Sequence, residues 1–405
     1  MLIPSIDLRG GKAVQLRQGR DLVLTAGEDP RDLAARFGRA GQIAVIDLDA
    51  ALGTGDNEAL VADLCGIAIC RVGGGIRDRE KARRLLKAGA HRLIIGTAAT
   101  AEFLAELPRR TVLVAVDAWE DRVVDRGWTA TTNEQPIARA QRLAPLVAGF
   151  LYTIVEREGM AQGADMERFG AFRAAVAGEV TVAGGITQVA EVAALDRAGM
   201  DAQVGMALYT GALRVADGVT AALRRDEAVP TVVQDVRDGR VLIVARSTRE
   251  TLAESIETGD VVLHSRTRGR WRKGATSGDT MRLMRVELDC DRDAVLMHVV
   301  PVGPACHTGA ASCFGDRPFS LGELERVIGE RARADDASSY TRQLLADAVT
   351  RRAKIIEEAA EVVDARTKAD LRWEAADLVY HTMVHLVAEG LTLRDLVAEL
   401  GARRR

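Results

Sequence analysis

Between Asp289 and Gly315 the sequence reads DCDRDAVLMHVVPVGPACHTGAASCFG, which puts three of the chain's five cysteines and three alternating aspartates in one short span. Thiolates are soft ligands suited to Zn2+, whereas carboxylates offer hard oxygens suited to Mg2+. On an extended strand Asp289, Asp291 and Asp293 share one face and Cys290 takes the other. Cys306 and Cys313 flank a glycine-bearing loop and, with Cys290, make three thiolates. The fourth tetrahedral position is left to a water or to His307; a closed structural zinc site is the alternative. A second acidic group lies further on, in KIIEEAAEVV (Glu357, Glu358, Glu361) and RWEAADLVYH (Glu374, Asp377). Residues three or four apart share a helix face, so two antiparallel helices can converge Glu358, Glu361, Glu374 and Asp377, with Glu357 the spare. Their mutual repulsion is unfavourable unless a cation such as Mg2+ sits between them. Cys65 and Cys70 lack such neighbours and read as core packing.

Three kinds of scaffold must hold these groups. Residues 1–227 alternate β-branched runs (AVIDL, RLIIG, TVLVAVD, FLYTIV) with helical patterns such as DREKARRLLKAGA, which predicts a parallel sheet. From Pro230 the runs TVVQD, RVLIVA, DVVLHS, RLMRVEL and AVLMHVV are separated by turn signals, with helix only around Arg249 to Glu257; 228–318 is expected to be a small antiparallel α+β domain. Residues 319–405 read as all helical, with Ser320 a cap.

The first segment repeats itself. VGGGIRD at Val72 returns as VAGGITQ at Val182, IIGTA returns as QVGMA, and Asp7 and Asp117 end equivalent strands; Gly74 and Gly184, like the two aspartates, lie 110 residues apart. A half-unit used twice gives the eight strands of a closed (β/α)8 TIM barrel, with an open doubly wound sheet the weaker alternative. Strand ends followed by helices place Gly74, Gly75, Gly96 and Thr97 in one phosphate cup, and Gly184, Gly185, Gly205 and Met206 in another. Asp7 and Asp117 then face each other between the cups, placed for acid–base work on the middle of a bisphosphate.

A net charge of −3 gives no field for nucleic acid or an anionic membrane. No stretch is apolar enough to span a bilayer, and five cysteines make no disulfide framework, so a cytoplasmic protein acting on small molecules is expected. The stretch HSRTRGRWRKGATSG interleaves Arg266, Arg268, Arg270, Arg272 and Lys273 with Trp271. In so neutral a chain it suits the phosphate of a nucleotide-sized ligand better than a nucleic acid.

Three resemblances attach to these motifs. IPSIDLRGGKAVQL, VIDLDAALG, VGGGIRD, IIGTA, DRGWT and VAGGIT together resemble the histidine-biosynthetic isomerases that convert the aminoaldose ProFAR to the aminoketose PRFAR. That resemblance implies an Amadori rearrangement with Asp7 the base and Asp117 the acid, and substrate contacts from Arg126, Trp128 and Thr153. The chain departs from the pattern at Gln15, where arginine is usual and where Arg17 on the same strand face is the substitute, and at Ile154, Glu158 and Met160. VVQD, SRTRGRWRKGATSGDT, LDCDRDA and GPACHTGAASCF resemble phosphoribosyl-AMP cyclohydrolase. This implies zinc-water attack on the adenine ring, phosphate contacts from Arg266, Arg268 and Lys273, and a homodimer whose zinc takes cysteines from both chains. ERARADDASSYTRQLL, KIIEEAAEVV and DLVYH resemble the all-α phosphoribosyl-ATP pyrophosphohydrolases, which implies Mg2+ on a triphosphate. Together they imply three consecutive steps on phosphoribosyl nucleotides in a homodimer or higher homo-oligomer. Two other expectations stand beside this one: a barrel that is a non-catalytic scaffold or allosteric binder, and a barrel that also isomerises phosphoribosylanthranilate.

Overall fold

A computed structural model describes residues 1–315, 319–334 and 338–402. The expected boundary at 318 and residues 335–337 of the ERARADDASSYTRQLL stretch lie outside the described residues. Two compact units divide the chain, one of residues 1–234 with 241–313, the other of residues 235–240 with 314–404.

The strands of the first unit are β1 (Leu2–Arg9), β2 (Lys12–Arg17), β3 (Asp21–Thr25), β4 (Gln42–Asp47), β5 (Ile69–Gly73), β6 (Arg92–Ile95), β7 (Val112–Trp119), β8 (Arg122–Asp125), β9 (Ala130–Thr131), β10 (Gly149–Ile154), β11 (Glu179–Ala183) and β12 (Asp201–Val204), followed by β13 (Val229–Asp235), β14 (Val241–Ser247), β15 (Val262–Ser265), β16 (Gly269–Arg272), β17 (Met281–Leu288) and β18 (Val295–Pro301). Strands β1, β4, β5, β6, β7, β10, β11 and β12 pair in parallel, and β12 returns to β1 to close a barrel. Ile94, Leu113, Leu151 and Ala183 fill its interior, while the outward residues pack under the surrounding helices. Strands β2 and β3 form a hairpin over the mouth, and β8 and β9 a second.

The repeat is visible in the backbone. Gly74, at φ 102°, lies against the Asp47 carbonyl that ends β4, and Gly184, at φ 107°, lies against the Ile154 carbonyl that ends β10. A Cβ would collide with that carbonyl in either half, so only glycine fits. The halves differ where Asp47 is replaced by Ile154. Asp47 receives hydrogen bonds from the backbone N–H of Ala50 and from Asn57, which fasten the loop after β4. Ile154 cannot do this, and the loop after β10 is held by ion pairs of Arg168 with Glu156 and of Arg157 with Asp165.

Strands β13 to β18 form a separate sheet in the order β16-β15-β14-β13-β18-β17. Its one helix, Arg249–Thr258, is fastened at both ends to barrel residues. Arg249 donates to the carbonyls of Thr220 and Leu223, and Arg39 donates to the carbonyls of Ile256 and Glu257 at 3.0 and 2.8 Å. A cation over the last carbonyls of a helix satisfies orphan acceptors and opposes the helix dipole. The barrel and this sheet are thus parts of one unit.

The second unit is helical: Leu321–Arg333, capped by Ser320, then Tyr340–Ala346, Ala348–Asp364, Lys368–Ala388 and Leu393–Ala402. Its core is Ile328, Leu344, Met383 and Val384, with Leu324 and Tyr380 packed around them.

Candidate functional site

The mouth of the barrel brings together the residues of both halves. One cavity is lined by Ser5, Asp7, Gly74, Gly75, Gly96, Thr97, Asp117, Trp128, Thr153, Glu158 and Gly205. A second, lined by Gly184, Gly185, Gly205 and Met206, shares Glu158 and Gly205 with it, so the two glycine cups adjoin.

Three carboxyl groups stand in that space. Burial pushes Asp7 up to about 6 against the hydrogen bond from Ser5 Oγ at 2.9 Å, which lowers it. Asp117 is also raised by burial, opposed by hydrogen bonds from Trp128 and Thr153. Glu158 is raised to about 7 by burial and then by the charges of Asp7 and Asp117. Sequence reasoning registered Glu158 only as a departure from a motif, and its depth follows from a long-range contact. The Gln18 N–H donates to the Glu158 carbonyl at 3.0 Å and Gln18 Nε2 to the Glu156 carbonyl at 3.0 Å, so the β2–β3 turn closes over the segment.

The DRGWT loop is strained. Arg126 and Trp128 adopt φ of 55° and 66°, a region non-glycine residues avoid. The Thr97 hydroxyl accepts the Arg126 N–H at 2.7 Å, and the Trp128 ring lies on Gly19, where any Cβ would strike it. Arg17 does not take the place expected for it. A bulge between Gln15 and Leu16 breaks the strand alternation, leaving Arg17 exposed and off the cavity wall. Gln15 is buried instead, its side-chain oxygen against Gly205.

In the middle sheet the aspartates do not alternate along a strand. β17 ends at Leu288 and β18 begins at Val295, so Asp289, Cys290, Asp291 and Asp293 occupy the hairpin turn between them. The physical reason is Arg292, at φ 62°, with Asp289 Oδ1 accepting the N–H groups of Asp293 and Ala294 at 2.9 and 3.0 Å. The turn nevertheless converges all three carboxylates within 4.8 Å. Asp291 is raised by its hydrogen bond to Asp289 and the charge of Asp293.

Cys306 and Cys313 lie side by side. Hydrogen bonding from Thr308, at 3.1 Å from its hydroxyl, lowers the Cys306 thiol, while burial and Cys306 raise Cys313. His307 Nδ1 is 3.8 Å from Cys306 Sγ. Cys290 is exposed on the hairpin and belongs to no group of three ligands among the described residues. One chain therefore offers two adjacent thiols with a polarised member, a donor set that fits Zn2+ once a further thiolate reaches it. Cys70 is buried beside Cys65, as a packing residue would be. Lys273 departs from the phosphate contact expected of it: it is buried, with Nζ donating to the carbonyls of Asp279 and Pro304. Arg266 and Arg268 are exposed at the β15–β16 turn, whereas Arg270 and Arg272 pair with Glu254 and Asp260.

In the helical unit Glu358, Glu374 and Asp377 converge within 4.8 Å from two neighbouring helices. Glu358 is buried and Glu357 is exposed, paired with Lys354 at 2.8 Å. Glu361 lies outside the tight trio but raises Glu374 by charge and hydrogen bonding, after burial. His381, unremarked in the sequence, sits with Nε2 3.6 Å from Glu358 and with its buried Nδ1 unpartnered.

Comparison with known proteins follows the same divisions. The family described as "Histidine biosynthesis protein" matches residues 1–214, "Phosphoribosyl-AMP cyclohydrolase" matches 243–315, and "Phosphoribosyl-ATP pyrophosphohydrolase" matches 321–404. The chain belongs to the histidine biosynthesis protein family. It is similar to the histidine biosynthesis bifunctional protein HisIE of Vibrio vulnificus, 40% identical over 191 residues that cover 44% of this chain and 90% of that protein. The Thermus thermophilus protein of the same name is 42% identical over 200 residues, 46% of this chain and 94% of the relative. A histidine biosynthesis trifunctional protein of Neurospora crassa is 42% identical over 180 residues, 44% of this chain and 20% of the relative. This histidine-biosynthesis chain is a multifunctional enzyme with isomerase, cyclohydrolase and pyrophosphohydrolase domains. No helix among its described residues is long and apolar enough to cross a membrane.

Proposed function

We propose that the chain carries out three steps on one phosphoribosyl nucleotide: the helical domain, from about residue 319, removes pyrophosphate from phosphoribosyl-ATP, the middle domain, about 228–318, opens the adenine ring, and the barrel, about 1–227, isomerises ProFAR to PRFAR. The observation that carries the barrel reading is the set of three raised carboxyl groups between two glycine cups. The cups hold the two phosphates by backbone N–H groups, which fixes the ribose between the acids. Asp7 takes the C2 proton as base. Opening of the ring needs a proton delivered to its oxygen, and Asp117 and Glu158 both face the space where that oxygen would lie. Glu158, raised to about 7, keeps much of its proton near neutrality and can supply it.

The middle domain binds zinc through Cys306 and Cys313, and the exposure of Cys290 suits a ligand given to or received from a second subunit, making the enzyme a homodimer or larger. Zinc, when bound, supplies a water acidic enough to attack the purine ring. His307, with Nδ1 3.8 Å from Cys306 Sγ, would be placed to take up or return a proton during ring opening. The aspartate turn and the Glu358, Glu374 and Asp377 cluster are read as Mg2+ sites, the latter with Glu361 supporting Glu374. Mg2+ there would carry the charge of a triphosphate.

Glu158→Gln separates acid from scaffold. In the native enzyme kcat/KM for isomerisation is expected to rise as Asp7 ionises near 6 and fall as Glu158 ionises near 7. The variant should lose the alkaline limb. It should also gain stability. A carboxyl raised from 4.5 to about 7 on folding costs nothing below 4.5, a growing amount between the two values, and up to about 3 kcal/mol above 7. Melting curves at pH 5 and pH 8 that show a larger gain at pH 8 agree with this; a loss at both does not.

The barrel assignment is tested by supplying the purified chain with ProFAR and, separately, with phosphoribosylanthranilate. Turnover of ProFAR is expected. Binding of ProFAR without turnover would make the barrel a scaffold or allosteric binder.

A further inference from the structure

The aspartate turn of the middle domain is held from outside that domain. Arg292 sits at φ 62°, a conformation that side-chain-bearing residues avoid, so something must keep it there. Three contacts do. Its carbonyl accepts the Arg224 N–H at 3.0 Å. Its guanidinium donates to the Asp289 carbonyl at 3.1 Å and to Asp196 Oδ1 at 3.1 Å. Asp196 is a barrel residue, in the last turn of the helix Val189–Arg197, with its side chain 2% exposed. A carboxylate at that end of a helix opposes the dipole and is unfavourable when buried unless cations face it. The Met1 nitrogen lies 3.1 Å from Oδ1, and Arg224 donates to Oδ2 at 2.7 Å. Arg225, the next residue, pairs with Asp293 at 2.7 Å and is itself mostly exposed.

We propose that Asp196 is a positioning residue for the ring-opening reaction: through Arg292 it keeps the turn in the conformation that converges Asp289, Asp291 and Asp293 on a divalent cation. If Arg292 relaxes to negative φ, the chain directions of Asp291 and Asp293 on either side of it diverge. Arg225 acts with the opposite sign, because its guanidinium occupies an oxygen of Asp293 that a cation would use. The barrel thus serves a second domain from the face away from its own mouth. This rests on the reading of the three aspartates as a cation site, and the test keeps the two apart.

The full chain carrying Glu358→Gln and Asp377→Asn, which removes the competing acidic cluster, is titrated with Mn2+ and bound ion is read by electron paramagnetic resonance. One Mn2+ site abolished by Asp291→Asn is expected; its absence would overturn the cation reading and the proposal with it. Asp196→Asn should weaken that site by ~10-fold, the scale of losing an orienting partner, while zinc content and ProFAR isomerisation stay unchanged. Arg225→Gln should tighten it. The Mg2+ concentration for half-maximal ring opening should move in the same directions, with the rate at saturating Mg2+ retained. Arg292→Ala, which leaves the barrel intact, should weaken Mn2+ as Asp196→Asn does, and the double variant should be no worse than either single one. Unchanged Mn2+ affinity in Asp196→Asn, or strictly additive losses in the double variant, would overturn the coupling while leaving the cation site standing.

Discussion

Asp7→Asn is expected to lower isomerisation of ProFAR by ~10²–10⁴-fold while the KM for ProFAR stays near that of the native enzyme. The expectation rests on where the carboxyl sits. It lies within β1, hydrogen-bonded to Ser5 and buried enough to be held near 6, so it is a base only after it ionises. Asparagine keeps the shape and the hydrogen-bonding volume but accepts no proton. In the proposed reading the two glycine cups hold the substrate phosphates, and the substitution leaves them untouched, so the loss should fall on kcat. Steady-state kinetics with ProFAR decide it; native turnover in the variant would remove Asp7 from the chemistry. Pyrophosphate release and ring opening by the same preparation should be unaffected and serve as its controls.

Cys306→Ala is expected to lose bound zinc and to reduce ring opening by ~10³-fold or more, the factor that ~4 kcal/mol of metal assistance supplies. Cys306 is the thiol lowered by Thr308 and its neighbours, and Cys313 alone, raised by burial, is a poor ligand. Metal analysis alongside the cyclohydrolase assay tests both halves of the statement. Full zinc content in the variant would remove the thiolate site. The barrel and helical activities should persist, since neither acid cluster uses a thiol.

Much of this arrangement was legible in the sequence, and the rest was hidden for identifiable reasons. The closed barrel could be read because the glycine stretches and strand-end aspartates recur at one offset, and the backbone shows why: Gly74 and Gly184 each meet a carbonyl that a side chain would strike. The acidic pairs of the helical domain were legible because helix periodicity fixes which residues share a face. The three aspartates read as alternating along a strand lie in a hairpin turn instead. Alternation implied a strand, but Arg292 adopts a left-handed conformation that its residue type does not advertise. Arg17 failed for a related reason, a bulge that shifts the face of β2. Glu158 looked like a departure because its burial depends on Gln18, about 140 residues away in sequence, a contact no local pattern carries. The docking of the barrel against the middle sheet through Arg39, Asp196 and Arg249 has no sequence signature at all, since each of these is an ordinary charged residue until its partner is known.

In the proposed function one chain performs three consecutive steps with separate residues for each. Its most direct test is to give the purified, zinc-loaded chain phosphoribosyl-ATP and Mg2+ and to follow pyrophosphate, phosphoribosyl-AMP, ProFAR and PRFAR with time, in the native enzyme and in Asp7→Asn. Pyrophosphate release and PRFAR are expected from the native chain, and accumulation of ProFAR in the variant. A native chain that stops at ProFAR would contradict it.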